Sequence, residues 1–122
     1  MIIIRKEDWV KGLKFVTGNE DFIQVGLWNY GAGHELAPHI HVLNPRRITR
    51  TQEAIVVLSG SVRVDLYQGR EIIESNVLCA GEIGILLDEG HGYTILQPGT
   101  KVVEIKNGPF TSVEADKVLI HG

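Results

Sequence analysis

Three histidines and one glutamate stand out in this chain because their types and spacing suit a divalent metal ion. His39 and His41 are separated by one residue, Glu53 follows them, and His91 comes much later. Side chains alternate between the two faces of a β-strand, so an extended segment over residues 38–42 directs His39 and His41 to one face. Imidazoles and a carboxylate suit iron, manganese, nickel, copper or zinc. The four residues predict a metal site if the fold brings them together, whereas the histidine pair alone also fits two surface or hydrogen-bonded side chains.

The composition predicts one globular domain that spans residues 1–122. The net charge is −3 and the pI is about 5.9, so nothing in the bulk charge indicates a nucleic-acid partner or an anionic membrane surface. The single cysteine, Cys79, excludes an intramolecular disulfide and fits a reducing compartment. The first residues lack the pattern of a signal peptide, and no apolar stretch is long enough to cross a membrane. We therefore expect a cytoplasmic protein with no membrane partner.

The elements that must position the four residues have the pattern of short β-strands. The 14 glycines indicate many tight turns. Apolar and polar residues alternate, or apolar residues run together, in nine segments between turn signals. They are residues 22–30, 36–43, 53–58, 62–67, 71–78, 81–87, 93–96, 101–106 and 117–120. Residues 7–12 give a weak signal for either one helical turn or a short edge element. This pattern predicts an all-β chain, either an antiparallel sandwich or a closed barrel.

Two segments of the chain resemble the two motifs of the cupin superfamily. The first is Gly33-x5-His39-x-His41, continued by Glu53-x6-Gly60, and the second runs from Gly81 to His91. The resemblance covers residues 33–96, with flanking segments at 1–21 and 107–122. It implies a single-domain cupin-type β-barrel of the jelly-roll or double-stranded β-helix kind. It also implies that His39, His41, Glu53 and His91 bind one divalent transition metal, which is iron, manganese, zinc or nickel.

The first motif departs from the family pattern in one respect. Eleven residues, 42–52, separate His41 from Glu53, which is a longer gap than the family usually has. This inserted segment must loop out and return if Glu53 is to reach the histidines. It carries Arg46, Arg47 and Arg50, whose guanidinium groups match carboxylates and phosphates. These arginines are either a clamp for an anionic substrate or part of a solvated loop or dimer contact.

Other side chains have two interpretations each. Tyr93, Tyr30 and Trp28 either line the cavity or pack in the core, and we expect core packing for Trp28. With Arg46, Arg47 and Arg50, Tyr93 completes the predicted substrate-binding set. Glu35 and Glu104 are either a general base near the metal or solvent-exposed carboxylates. No catalytic residue beyond the metal ligands is identified.

Three functions fit these features. The first is a small metalloenzyme of the dioxygenase or isomerase type, which acts on a small polar or anionic substrate such as a sugar or carboxylic acid. The second is a binding module that holds such a ligand without turnover, and the third is a structural metal barrel. A fold alone does not select among them. The resemblance further implies a homodimer, since exposed barrel edges commonly pair in cupins.

Overall fold

The fold is built from antiparallel strands, as seen in a computed structural model that describes residues 1–121. Within these residues, the helices are one 3-10 turn at Lys6–Asp8 and one α-helix, α1, at Val113–Asp116. Neither of these described helices has the length or the apolar character to cross a membrane. The nine strands of the described chain are β1 (Ile2–Ile4), β2 (Gly12–Phe15), β3 (Gly26–Asn29), β4 (Glu53–Ser59), β5 (Ser61–Gln68), β6 (Glu71–Cys79), β7 (Ile83–Leu86), β8 (Gly90–Ile95) and β9 (Lys101–Lys106).

Two antiparallel sheets enclose the main core. A four-stranded sheet has the order β1-β7-β4-β9, and a three-stranded sheet has the order β6-β5-β8. Ile55 and Val57 of β4 lie on the inner face of the first sheet, where they pack against Val62, Val64 and Leu66 of β5. The period of two along each strand explains this, because alternate residues of a strand share a face. The face that carries Ile55 and Val57 therefore also carries Glu53.

The outer face of the four-stranded sheet has its own smaller core. Ala54 and Ile85 project from this face and contact Ile23, which lies just before β3. Gln52 fixes this connection, because its side-chain oxygen accepts hydrogen bonds from the backbone N–H groups of Phe22 and Ile23 at 2.8 and 3.0 Å. The chain before β4 is thus secured to the outer face immediately next to Glu53.

A tight turn at Gly60 joins β4 to β5 and so connects the two sheets. Its φ of 75° lies in the left-handed region, where glycine has no steric penalty. A Cβ at this position would lie 2.8 Å from the backbone Cα of Thr100. Gly60 is therefore required both by the turn and by the close approach of the chain that leads into β9.

Most of the predicted strands are confirmed, but two are wrong. Residues 101–106 form a strand with the predicted bounds, and β4, β5 and β6 extend the predictions by one or two residues. The segments 36–43 and 117–120 form no strand. The all-β prediction is therefore confirmed. Residues 1–121 form three sheets, the third of which is a two-stranded ribbon of β2 and β3, and none of them closes as a barrel. Among residues 1–121, β8 pairs with β5 only and β9 pairs with β4 only, and residues 36–43 pair with neither.

Candidate functional site

Glu53 and His91 come together between the two sheets. Glu53 begins β4 and lies opposite Leu86 of β7 and Lys106 of β9. His91 lies on β8, opposite Leu66 of β5. Because Glu53 and Leu66 both face the space between the sheets, the register brings the imidazole to the carboxylate. Glu53 is only 5% exposed, which is rare for a carboxylate without a partner.

The two side chains form a direct ion pair in which His91 Nε2 donates to Glu53 Oε1. The other ring nitrogen, Nδ1, lies 3.3 Å from the backbone carbonyl oxygen of Glu89. Both nitrogens therefore face acceptors, and an imidazole can donate from both only when it is protonated. A bound cation at Nε2 would take the place of that proton, while the Glu89 carbonyl continues to hold the ring by Nδ1, as is usual for histidine ligands.

The local electrostatics favour the charged forms of both partners. Burial raises the pKa of Glu53, but the hydrogen bond and charge of His91, with the charge of Lys106, outweigh it and hold the pKa below its ordinary value. The hydrogen bond to Glu53 raises the pKa of His91, although burial opposes this. Tyr93 donates its hydroxyl to Glu53 Oε1 at 3.2 Å. Burial and the Glu53 charge raise the pKa of Tyr93 well above its ordinary range, so its hydroxyl stays a donor.

The second oxygen of the Glu53 carboxylate has no such partner. Oε2 is buried and accepts no hydrogen bond from any of residues 1–121. A buried carboxylate oxygen without a donor costs about 1–3 kcal/mol in folding free energy. Such a group is expected where a ligand supplies the missing contact. The carboxylate lines a cavity of about 670 Å³, which is large enough for a small molecule.

His39 and His41 lie apart from this pair on a long exposed connection. Residues 31–51 are all exposed and, within that range, form neither helix nor strand. The two rings remain neighbours, with centroids 4.9 Å apart at an angle of 78°. His39 Nδ1 lies 2.9 Å from the carbonyl oxygen of Ala37, which leaves Nε2 directed away from its own backbone. The predicted ligand set is thus present as two halves, one on the connection and one between the sheets.

The structure does not assemble a complete metal centre. Over the described part of the chain, no three His, Cys, Asp or Glu side chains are grouped to hold a metal ion. The residues nevertheless fit a cation. Glu53 has a buried oxygen without a donor, His91 is held by Nδ1, and each half of the predicted set offers nitrogen or oxygen ligands of the kind that transition metals bind.

The predicted substrate-binding residues are divided between the cavity and the connection. Arg50 and Tyr93 line the cavity, and Arg50 also pairs with Asp88 at 2.5 Å. Arg46 and Arg47 lie on the exposed connection and are not among the residues that line the cavity. Trp28 is 62% exposed, so the expectation that it packs in the core is wrong.

From the sequence, some charged residues near the cavity had two possible roles, and another was not predicted. Glu35 is exposed on the connection, as one of its two interpretations predicted. Glu104 is also solvent-exposed, with half of its side chain accessible, although it lies at the wall of the cavity. Lys106 was not predicted, although it lies opposite Glu53 and 3.4 Å from Glu104. The signal was available: residues 102, 104 and 106 share one face of a predicted strand, so Glu104 implied that Lys106 faces the same way.

Comparison of the chain with models of protein families, with curated proteins and with solved structures finds no match.

Proposed function

We propose that this chain is a small metal-dependent enzyme of the cupin type, which acts on a small polar or anionic substrate. The observation that carries the proposal is the buried Glu53–His91 pair, whose second carboxylate oxygen has no donor among residues 1–121 and whose cavity has space for a ligand. His39 and His41 would complete the ligand set. The two facing antiparallel sheets and the motif positions of these four residues support the cupin assignment.

The hydrogen-bond donors of the cavity wall support a substrate that presents oxygen atoms. A divalent metal with open positions polarises substrate oxygens or activates water. Arg50 at the cavity wall offers a guanidinium to an anionic group. Tyr93 offers a hydroxyl that remains protonated, and Lys106 offers an ammonium whose pKa stays above its ordinary value, since Glu104 and Glu53 outweigh its burial. These three groups would bind and orient a substrate such as a sugar or a carboxylic acid.

The metal site is tested by titrating chelator-stripped protein with Zn²⁺, Mn²⁺, Fe²⁺ and Ni²⁺ in a calorimeter. We expect about one site per chain, and a loss of at least about tenfold in affinity for His91→Ala and Glu53→Gln, since even the loss of a group that only supports a ligand typically costs about 10–100-fold. His41→Ala should lose the metal while circular dichroism shows an intact fold. His34→Ala is the matched control, since this ring stacks on Tyr30 at 4.0 Å and is no predicted ligand. Wild-type affinity in His91→Ala would contradict the proposal.

Catalysis is tested separately with the metal-loaded protein. The substrates are diketones, catechols, thiols and nucleotide sugars, which represent the dioxygenase and isomerase reactions. Turnover that a chelator abolishes and that His91→Ala lacks is the expected result. Saturable binding without any product would contradict the enzymatic part and favour a binding module.

A further inference from the structure

The connection between β3 and β4 contains an exposed segment that belongs to no helix or strand. We call residues 35–47 the arm. Ile40 is 91% exposed and Leu43 is 100% exposed, which is unusual for large apolar side chains. Within the described residues, the hydrogen bond between His39 and Ala37 stays inside the arm, and no hydrogen bond joins the arm to the rest of the chain. The residues that follow the arm, 48–51, are its root. They lie at the cavity, where Arg50 pairs with Asp88.

Each of the two sheets ends, beside the cavity, in a strand that has a partner on one side only among residues 1–121. Among residues 1–121, β8 pairs with β5 only and β9 pairs with β4 only, so each has an open edge beside the cavity. Ile95 of β8 faces the space between the sheets, opposite Val62, yet it is 59% exposed. Open edges with exposed apolar residues readily add another strand.

The arm has the pattern and charge of the strand that is missing. In an extended chain, Ile40 and Val42 would share one face, and His39 and His41 the other. The arm and its root carry three arginines, Arg46, Arg47 and Arg50, against one glutamate, Glu35. The cavity wall outside the root carries five carboxylates and two lysines, which are Glu53, Asp88, Glu89, Glu104, Asp116, Lys106 and Lys117. The basic arm and the acidic cavity are therefore complementary.

We propose that the occupant of this open edge is the arm of a second copy of the chain, so that two copies exchange arms in a symmetric dimer. In the single chain the arm stays off its own edges although its root lies at the cavity. A twofold pair satisfies both copies at once, because each receives the strand that it lacks and covers Leu43 of the arm and Ile95 of β8, which the single chain exposes.

The exchange also places His39 and His41 of one copy beside Glu53 and His91 of the other. The histidine-bearing face of the arm would turn towards the cavity, and the face with Ile40 and Val42 would turn outwards. Each metal site would then be shared between two chains. This part of the inference rests on the metal site proposed above, whereas the arm exchange itself does not.

The exchange is tested first without metal. Wild-type chains with two different affinity tags are co-expressed, and the mixed dimer is captured through both tags at micromolar concentration. We expect capture for wild type, and at least about a tenfold loss for the Leu43→Asp variant, because Leu43 shares the face of the arm that carries His39 and His41 and would be covered in the exchanged dimer. Ile73→Asp is the control, because Ile73 is also exposed but lies on β6. Failure to capture wild-type pairs, or capture that Ile73→Asp abolishes and the arm variant retains, would overturn the exchange.

Shared sites are tested by complementation. A chain with His39→Ala/His41→Ala and a chain with His91→Ala are co-expressed and captured as a mixed dimer. In the exchanged dimer one site has all four ligands and the other lacks three, so the metal content should be about half that of wild type. If each arm served its own chain, both sites would be broken and no metal would bind. That result would overturn the exchange and leave the metal site intact, whereas wild-type protein without metal but with arm-dependent capture would contradict only the metal site.

Discussion

The Glu53–His91 pair makes a prediction about the metal-free protein that depends on both charges. We consider a double-mutant cycle with Glu53→Met, His91→Leu and the double variant, in the presence of a chelator. The side chain of Glu53 is 7% exposed and that of His91 is 29% exposed, so the pair is neither fully buried nor at the surface. Exposed pairs contribute about 0.2–1 kcal/mol, and hydrogen bonds to buried charged groups about 1.5–3 kcal/mol. We therefore expect a coupling free energy of about 1–2 kcal/mol.

The coupling should depend on pH in a direction that the pKa shifts fix. The pKa of His91 is raised on folding, so its contribution is present below the ordinary value of about 6.5 and is lost as the pH rises through the folded pKa. The pKa of Glu53 is lowered, so its contribution is present above about 4.5 and is lost as the pH falls through the folded pKa. The coupling free energy is largest between about pH 4.5 and pH 6.5, where both side chains are charged in the folded protein. Above the folded pKa of His91 it should fall, because the neutral ring carries no charge and has one proton to share between Glu53 and the Glu89 carbonyl.

The assay is urea denaturation of the four proteins at pH 5.5 and pH 9, with fluorescence of the two tryptophans as the signal. Effects of each substitution on packing cancel in the cycle, and so does the lost hydrogen bond from Tyr93 to Glu53. A coupling that is equal at the two pH values would refute the charged pair. It would mean that His91 is neutral and that its Nδ1 does not donate to the Glu89 carbonyl.

Two further predictions concern the frame that holds the site. Gly60→Ala should destabilise the protein by at least about 1 kcal/mol more than Gly99→Ala. Both glycines have φ near 75°, but only a Cβ at position 60 meets Thr100. Equal losses of unfolding free energy in urea would contradict this steric effect. Asp65→Asn should cost about 0.5–1.5 kcal/mol at pH 7, because the Asp65 carboxylate accepts the Ser75 hydroxyl at 2.6 Å, a bond that lowers its pKa, whereas the amide oxygen of the variant accepts it without a charge. This contribution is present above the ordinary pKa of 3.8 and lost as the pH falls through the folded pKa, so the difference between wild type and variant should narrow in acid, and an unchanged difference at pH 3 would contradict it.

The strands of the two sheets could be predicted from the sequence because the patterns that indicate them are local. Residues 62, 64 and 66 alternate with polar neighbours, and Gly60 and Gly69 mark the turns on either side. Period and turn residues together fix where a strand begins and ends. Residues 54–58 are apolar on both faces, so the sequence predicts the strand without showing which of its faces is directed inwards. Glu53 and His91 were predicted as part of the site from the motif resemblance.

The conformation of the arm could not be predicted in the same way. Its alternation indicates an extended chain, but a strand also requires a partner, and the partner edge is distant in sequence. Trp28 shows the same limit, since the period of β3 does not reveal that nothing among residues 1–121 covers one face of the β2–β3 ribbon. At residues 113–116 a local signal was present but was overlooked. Ser112 caps α1 by accepting the N–H of Ala115 at 3.1 Å, a pattern that favours a helix start over a strand.

The most direct test of the metal site is X-ray absorption spectroscopy on wild-type protein loaded with Zn²⁺ or Mn²⁺. The account predicts about one metal per chain, with nearest neighbours that are nitrogen and oxygen only and with the outer-shell scattering of imidazole rings, which His91→Ala reduces. Protein that retains no metal, or metal bound by oxygen alone without imidazole scattering, would contradict the assignment of Glu53 and His91 as part of a metal centre.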